Sequence, residues 1–213
     1  VPAYFSQKQK DATKMAAESA GLHVQRLIAE PTAAAISFGL DNMNEGESKH
    51  ILVYDFGGGT FDLSILMAVD NQFIESGSGG DRWLGGDDID TLLIDYACRE
   101  IERRDGFVLD ELLDEKTQKE KATFISGLKS GIEEAKKSLS HVESATIFFS
   151  DFLENEDDDP VDDFTITRDK FNSLITPLIQ RTIDLIEELL EKTSVPIDTI
   201  DNILLVGGSS CIP

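Results

Sequence analysis

Basic residues are scarce in this sequence. Lysine and arginine number 19 against 41 aspartates and glutamates, a formal net charge of −22. So negative a chain repels polyanions, which argues against nucleic acid or an anionic membrane and favours basic partners or bound cations. Cysteine is nearly absent. Cys98 and Cys211 cannot build a disulfide framework, and Cys98, in an apolar helical stretch, reads as core. His23, His50 and His141 are scattered without metal-ligand spacing. No apolar run is long enough to span a bilayer. No secretory leader pattern is present, so a cytoplasmic location is the expectation. There is no internal repeat. The single tryptophan, Trp83, is expected to pack. The chain opens on Val1-Pro2 and stops on an apolar run, as a piece of a longer protein would.

What is present reads as a mixed α/β chain. Ser6 can cap a helix that Gly21 ends. "LHVQRLIAEP" reads as a strand ending before Pro31, which suits the first turn of a helix closed by Gly39. "DNMNEGESKH" reads as a loop. Three strands follow, "ILVYDF", "TFDLSILMAV" and "QFIESGSGG", joined by turns short enough for antiparallel hairpins. "GGDDIDTLLIDYACREIERR" is a helix with acidic residues in its first turn. A second long helix is expected from about Asp114 to Leu139, with Phe124, Leu128, Ile132, Ala135 and Leu139 as its apolar face. "SATIFFSDF" and "DDFTIT" form a hairpin around an acidic loop, Glu154 to Asp163. Thr167 caps a short helix, and Thr176-Pro177 restarts it. "NILLVGG" reads as a buried strand entering a glycine turn. Residues 107–165 are expected to form a small subdomain on a base made of 1–106 and 166–213.

The chemistry centres on "YDFGGGTFD". Glycine runs that expose backbone N–H groups suit phosphate, yet Asp55 and Asp62 would repel it. A divalent cation between carboxylate and phosphate removes that conflict, and magnesium binds through one or two carboxylates plus phosphates. No lysine follows the glycines and a strand does, so this is not a Walker loop. Thr60 offers a hydroxyl; a hairpin built only for its geometry is the other reading. "LGGDD" opens a helix and "LLVGGSS" follows a strand, both common anion cradles and both common caps. Glu133, Lys136, Lys137 and Ser140 stand at i, i+3, i+4 and i+7, a face that can hydrogen-bond a ribose or simply form a solvated salt bridge. Glu30, before a proline, can position a water or cap a helix.

Taken in order, "VPAYFSQKQKDATKMAAESAGL", "RLIAEPTAAAISFGLD", "VYDFGGGTFDLSI", "LGGDDID", "EEAKKSLS", "ITRDKFNSLI" and "ILLVGGSSCIP" resemble the 70-kilodalton heat-shock chaperones, the DnaK family. The resemblance covers essentially the whole chain. It implies an actin-like ATPase fold, here its second lobe: a ribonuclease-H-like mixed sheet with flanking helices plus an inserted α+β subdomain. It implies ATP or ADP with Mg2+ as ligand. Gly58, Gly59 and Thr60 would contact phosphates. Asp55 would hold magnesium through water, and Asp62 and Glu30 would organise magnesium and the attacking water. Gly86, Gly208 and Ser209 would line the nucleotide, and Glu133, Lys136, Lys137 and Ser140 would embrace ribose and adenine. Cys211 stands where the family usually has an arginine on the adenine side, and a thiol offers no guanidinium to stack. The first lobe, with its phosphate loop and catalytic lysine, is absent, so this chain alone is expected not to turn over ATP appreciably.

The resemblance also implies partners: nucleotide-exchange factors on the upper subdomain, J-domain co-chaperones near Tyr4 and Arg26, and unfolded polypeptides through a peptide-binding domain that this chain lacks. Ser6, Gln7 and Ala29 differ from common residues at the J-domain surface. Two other readings compete. A non-hydrolysing co-chaperone-binding module is opposed by intact Asp55, Thr60, Asp62 and Glu30. A sugar kinase of the same superfamily is opposed by "EPTAAA" followed by "GGGTFD".

Overall fold

A computed structural model describes residues 1–39, 47–69, 72–114, 116–154 and 159–213. The chain divides into two compact units. The first comprises Val1–Gly85 and Arg181–Ser210, the second Gly86–Gln180 and Cys211–Pro213.

The first unit is built on a four-stranded mixed sheet. β1 (Ser48–Phe56), β2 (Phe61–Val69) and β3 (Gln72–Asp81) form an antiparallel meander, and β6 (Ile200–Val206) joins β1 in parallel, giving the order β3-β2-β1-β6. Period-2 alternation divides the side chains between two faces. Ile51, Val53, Leu66, Ala68 and Leu204 form one buried face with Ala35 of α2 (Glu30–Ser37). The other face carries Tyr54, Phe56 and Phe61, whose rings meet edge to face at centroid distances of 4.7–6.2 Å. The Tyr54 hydroxyl donates to Thr182 Oγ1 at 3.0 Å. Leu189 lies beside Gly77 and Gly79 of β3.

Three expectations need correction here. Residues 22–29 form no strand, because among the described residues they have no ladder neighbour. At their end the Val1 nitrogen donates to Ile28 O at 2.9 Å and Glu30 N donates to Val1 O at 2.9 Å. β6 is an edge strand rather than a buried one: Leu204 is buried, but Ile203 and Leu205 are 61% and 56% exposed. Trp83, expected to pack, is 87% exposed. The predicted loop at 41–50 lies mostly outside the described residues, and Ser48–His50 belong to β1. α1 (Gln7–Ser19) starts at Ser6, whose backbone N donates to Gln9 Oε1 at 2.9 Å, and Gly21 follows its end at φ 83°.

The second unit contains α3 (Gly86–Asp105), α4 (Leu109–Asp114), α5 (Gln118–Ser138) and the hairpin β4 (Ser144–Ile147) with β5 (Phe164–Thr167). The expected long helix from about Asp114 to Leu139 is α5, which starts four residues later, after the separate α4. Thr117 forms a capping box with Glu120 and starts α5 afresh. Its apolar stripe is buried as the spacing predicts: Phe124, Leu128, Ile132, Ala135 and Leu139 are each at most 4% exposed. α3 packs on α5 through Ile89, Leu93, Ala97 and Ile101. Arg168 closes the end of α5, donating to Leu139 O at 2.7 Å and Val142 O at 3.0 Å. Arg104 ties down the acidic loop through Asp162 O and Asp163 O at 2.6 and 2.8 Å; residues 155–158 of that loop lie outside the described residues.

α6 (Arg168–Thr193) runs unbroken through Thr176-Pro177, where a restart was expected. The Thr176 hydroxyl donates to Asn172 O at 2.8 Å, as helix-interior threonines do. Apolar burial at Phe171, Ile175, Leu185 and Leu189 continues on both sides of Pro177, so packing outweighs the missing N–H. Ile132→Ala should cost about 3 kcal/mol, because Ile132 has no exposed surface from which the cavity can be relieved. Urea denaturation of the variant beside the parent measures it.

Candidate functional site

In the first unit the site follows from one hairpin register. Asp55 pairs with Asp62 and Phe56 with Phe61, leaving residues 57–60 as the turn. Gly57 N donates to Thr60 O at 3.0 Å and closes it. Even spacing along β2 then puts Thr60 and Asp62 on one face with Asp55, and the Thr60 hydroxyl donates to Asp62 Oδ2 at 3.0 Å. A Cβ added at Gly58 would meet nothing within 4 Å, so that side of the turn is open, whereas Gly85 packs so close on the other side that a Cβ there would strike Gly58 O.

Two other chain segments close on this hairpin. Gly207, at φ 88°, brings the end of β6 so near that a Cβ there would strike Phe56 O and lie 2.8 Å from Asp55 Oδ1. The following 3-10 turn, Gly208–Cys211, points the Ser209 hydroxyl back at the hairpin, where it donates to Gly57 O at 2.9 Å. Gly208, like Gly58, faces open space. Gly80, at φ 140°, presses the end of β3 onto Phe61 O. Glu30, at the first turn of α2, borders the same small cavity as Tyr4, Asp55 and Asp62.

The electrostatics match the crowding. Burial first, then the charges of Asp62 and Glu30, push the Asp55 carboxyl above its ordinary value. Burial also raises Asp62, opposed by the Thr60 hydrogen bond and the Arg82 charge. Burial and the neighbouring carboxylates of Asp62 and Glu30 raise the Tyr4 phenol, again opposed by Arg82. Such a face gains from a cation. No three His, Cys, Asp or Glu side chains among the described residues come together as a metal cage. The donor set is two carboxylates and a hydroxyl, hard oxygens suited to a magnesium ion that completes its shell with water and phosphate. The residues present therefore fit magnesium carried in with a phosphate ligand.

In the second unit, Gly86 is the buried first residue of α3, and the "EEAKKS" face of α5 is split in use. Lys137 pairs with Glu133 at 2.6 Å on an exposed surface, which raises the lysine and lowers the glutamate. Lys136 turns inward: its ammonium lies 2.7 Å from Asp90 and donates to Gly86 O at 3.3 Å. Ser140 follows the last turn of α5, its backbone N donating to Lys137 O at 3.2 Å. Asp90 escaped the sequence reading; its signal was its place one turn into α3, facing a lysine only after the helices pack. Cys98 is a half-buried thiol that burial and the charges of Glu102, Asp95 and Asp110 push to about 11, which leaves it unreactive at neutral pH.

Asp55→Asn should raise the melting temperature at neutral pH, without divalent cations, by about 2–4 °C. The sign follows from the raised carboxyl. Its protonated form is the one the fold favours, so its contribution is present at acid pH and lost as pH rises through the raised value. The gap between variant and parent should close below the ordinary carboxylate range. Thermal melts across pH decide it, and a variant that melts lower at pH 7 contradicts the reading.

The comparisons with known proteins agree over the full length. The family model described as "Hsp70 protein" matches residues 1–213. A curated relative from Trypanosoma brucei brucei, "Heat shock cognate HSP70 protein", is 39% identical over all 213 residues. The chain spans about 30% of that relative's length.

Proposed function

The chain belongs to the Hsp70 family, and from that premise we propose that it is part of a chaperone's ATPase domain that holds ATP or ADP with Mg2+. The observation that carries this reading is the single face on which Asp55, Asp62 and the Thr60 hydroxyl meet beside an open glycine turn. Asp55 would hold the magnesium through water, Asp62 would help organise it, and Gly58, Gly59 and Thr60 would meet the phosphates. Magnesium, when bound, draws charge from the phosphate oxygens and screens them from the carboxylates. Ser209 fixes the turn through Gly57 O, so the backbone N–H groups are set before ligand arrives. Thr60, tied to Asp62, keeps its hydroxyl oxygen available as an acceptor at the turn. Glu30 borders the cavity as the candidate base for an attacking water.

On the second unit, Gly86, Glu133, Lys136, Lys137 and Ser140 would receive the nucleoside. Lys137 and Glu133 are exposed and paired with each other, so a ribose can take over their hydrogen bonds at small cost. Lys136 serves the site by holding the first turn of α3 through Asp90 and Gly86 O. Family membership extends the proposal to partners: J-domain co-chaperones near Tyr4 and Arg26, nucleotide-exchange factors on residues 107–165, and unfolded polypeptides bound elsewhere in the longer protein.

A Mg–ADP titration of this chain, followed by two-dimensional amide NMR, tests the reading. Saturable shifts at Gly58, Gly59, Thr60, Gly86, Lys136 and Gly208 are expected. A folded spectrum with no shift would overturn nucleotide binding and leave the co-chaperone-binding module in its place.

A further inference from the structure

Arg82 lies just beyond β3, and its position is set by a bulge. β2 and β3 pair in simple register from Val69↔Gln72 to Leu66↔Glu75, then Ile65 pairs with Gly77, so Ser76 is the extra residue. Below the bulge, Asp62 pairs with Gly80 and Phe61 with Asp81. β3 ends at Asp81, and Arg82 follows it in a turn, where it borders one cavity with Tyr4 and Asp62. The guanidinium lies over the Tyr4 ring, 4.9 Å from its centroid. A cation stacked in this way keeps its N–H edge free and its orientation limited.

The other arginines near charged groups are committed. Arg99, Arg103, Arg104, Arg168 and Arg181 each engage a carbonyl or carboxylate. Arg82 forms no hydrogen bond or ion pair among the described residues; its contacts are the Tyr4 ring and the longer-range fields of Asp62 and Tyr4. A guanidinium that served only to neutralise Asp62 would close on it. This one instead borders an open cavity of about 190 Å³ with Tyr4, Asp62, Ser78 and Gly80.

We propose that Arg82 is a phosphate-binding cation of this site, receiving the terminal phosphate of the nucleotide and the inorganic phosphate that hydrolysis releases. The assignment rests on the nucleotide reading above. Its chemistry is a planar fork of donors matched to a tetrahedral oxyanion. Arg82 adds a positive charge beside the Asp62 carboxylate, complementing the magnesium and the glycine-turn N–H groups in drawing a phosphate.

Inorganic phosphate is titrated calorimetrically into the chain, with and without saturating Mg–ADP. The parent, Arg82→Ala, Arg82→Lys and Arg103→Ala are compared. Arg82 is exposed, so its replacement leaves the core untouched. Arg82→Ala should weaken phosphate binding about tenfold, the scale of losing charge-assisted hydrogen bonds. Arg82→Lys should recover part of that loss. Arg103→Ala removes the same charge from the second unit and should match the parent. Equal phosphate affinity in the parent and Arg82→Ala overturns the proposal, as does a parent that binds no phosphate in either arm. An Arg82→Ala chain that binds Mn2+ more tightly while phosphate binding stays unchanged also overturns it, and makes Arg82 a competitor of the metal. Failure of Mg–ADP to bind sinks the nucleotide reading alone, and the arm without nucleotide still decides Arg82.

Discussion

The site depends on one pairing, Asp55 opposite Asp62 in the β1–β2 ladder. Like charges directly across a ladder oppose folding, and partial burial sharpens the cost. The pairing persists because everything around it is fixed by stronger terms. The aromatic cluster of Tyr54, Phe56 and Phe61 on the opposite face sets the register, and a slip of one residue would expose it. The carboxylates are therefore held in an arrangement they would not choose. A bound cation would relieve it, and its binding would then be coupled to the stability of the sheet.

The second unit answers to a different constraint. Its helices α3 and α5 must bury long apolar stripes, and the packing carries Lys136 to Asp90 as a by-product of that burial. The polar face of α5 is thus divided. One lysine is part of the framework and its neighbour is available to solvent.

Most of the fold was legible because its signals are local. The strands of the meander, the stripe of α5 and the caps at Ser6 and Thr167 are written in spacing and residue type. The carboxylates, glycines and threonine of the hairpin were legible for the same reason, since a tight turn sets their faces by counting. Errors arose where a distant partner decides. Residues 22–29 have strand composition but no ladder. β6 has a core-like sequence but lies at an edge. Pro177 carries a stop signal that burial along α6 overrides. Arg82 was beyond reach because Ser76 shifts the register, pairing Asp62 with Gly80 rather than Gly79, and because the arginine itself lies in a turn past the last ladder pair.

The exposed edge of β6 has a consequence for how the molecule behaves in company. Its outer backbone groups and the side chains of Ile203 and Leu205 form a template for strand addition. Two copies can meet there only by bringing together chains that each carry a net charge of −22. That repulsion acts over about 10 Å at moderate ionic strength and contracts as salt is added. Added salt therefore weakens the electrostatic barrier to strand pairing at this edge.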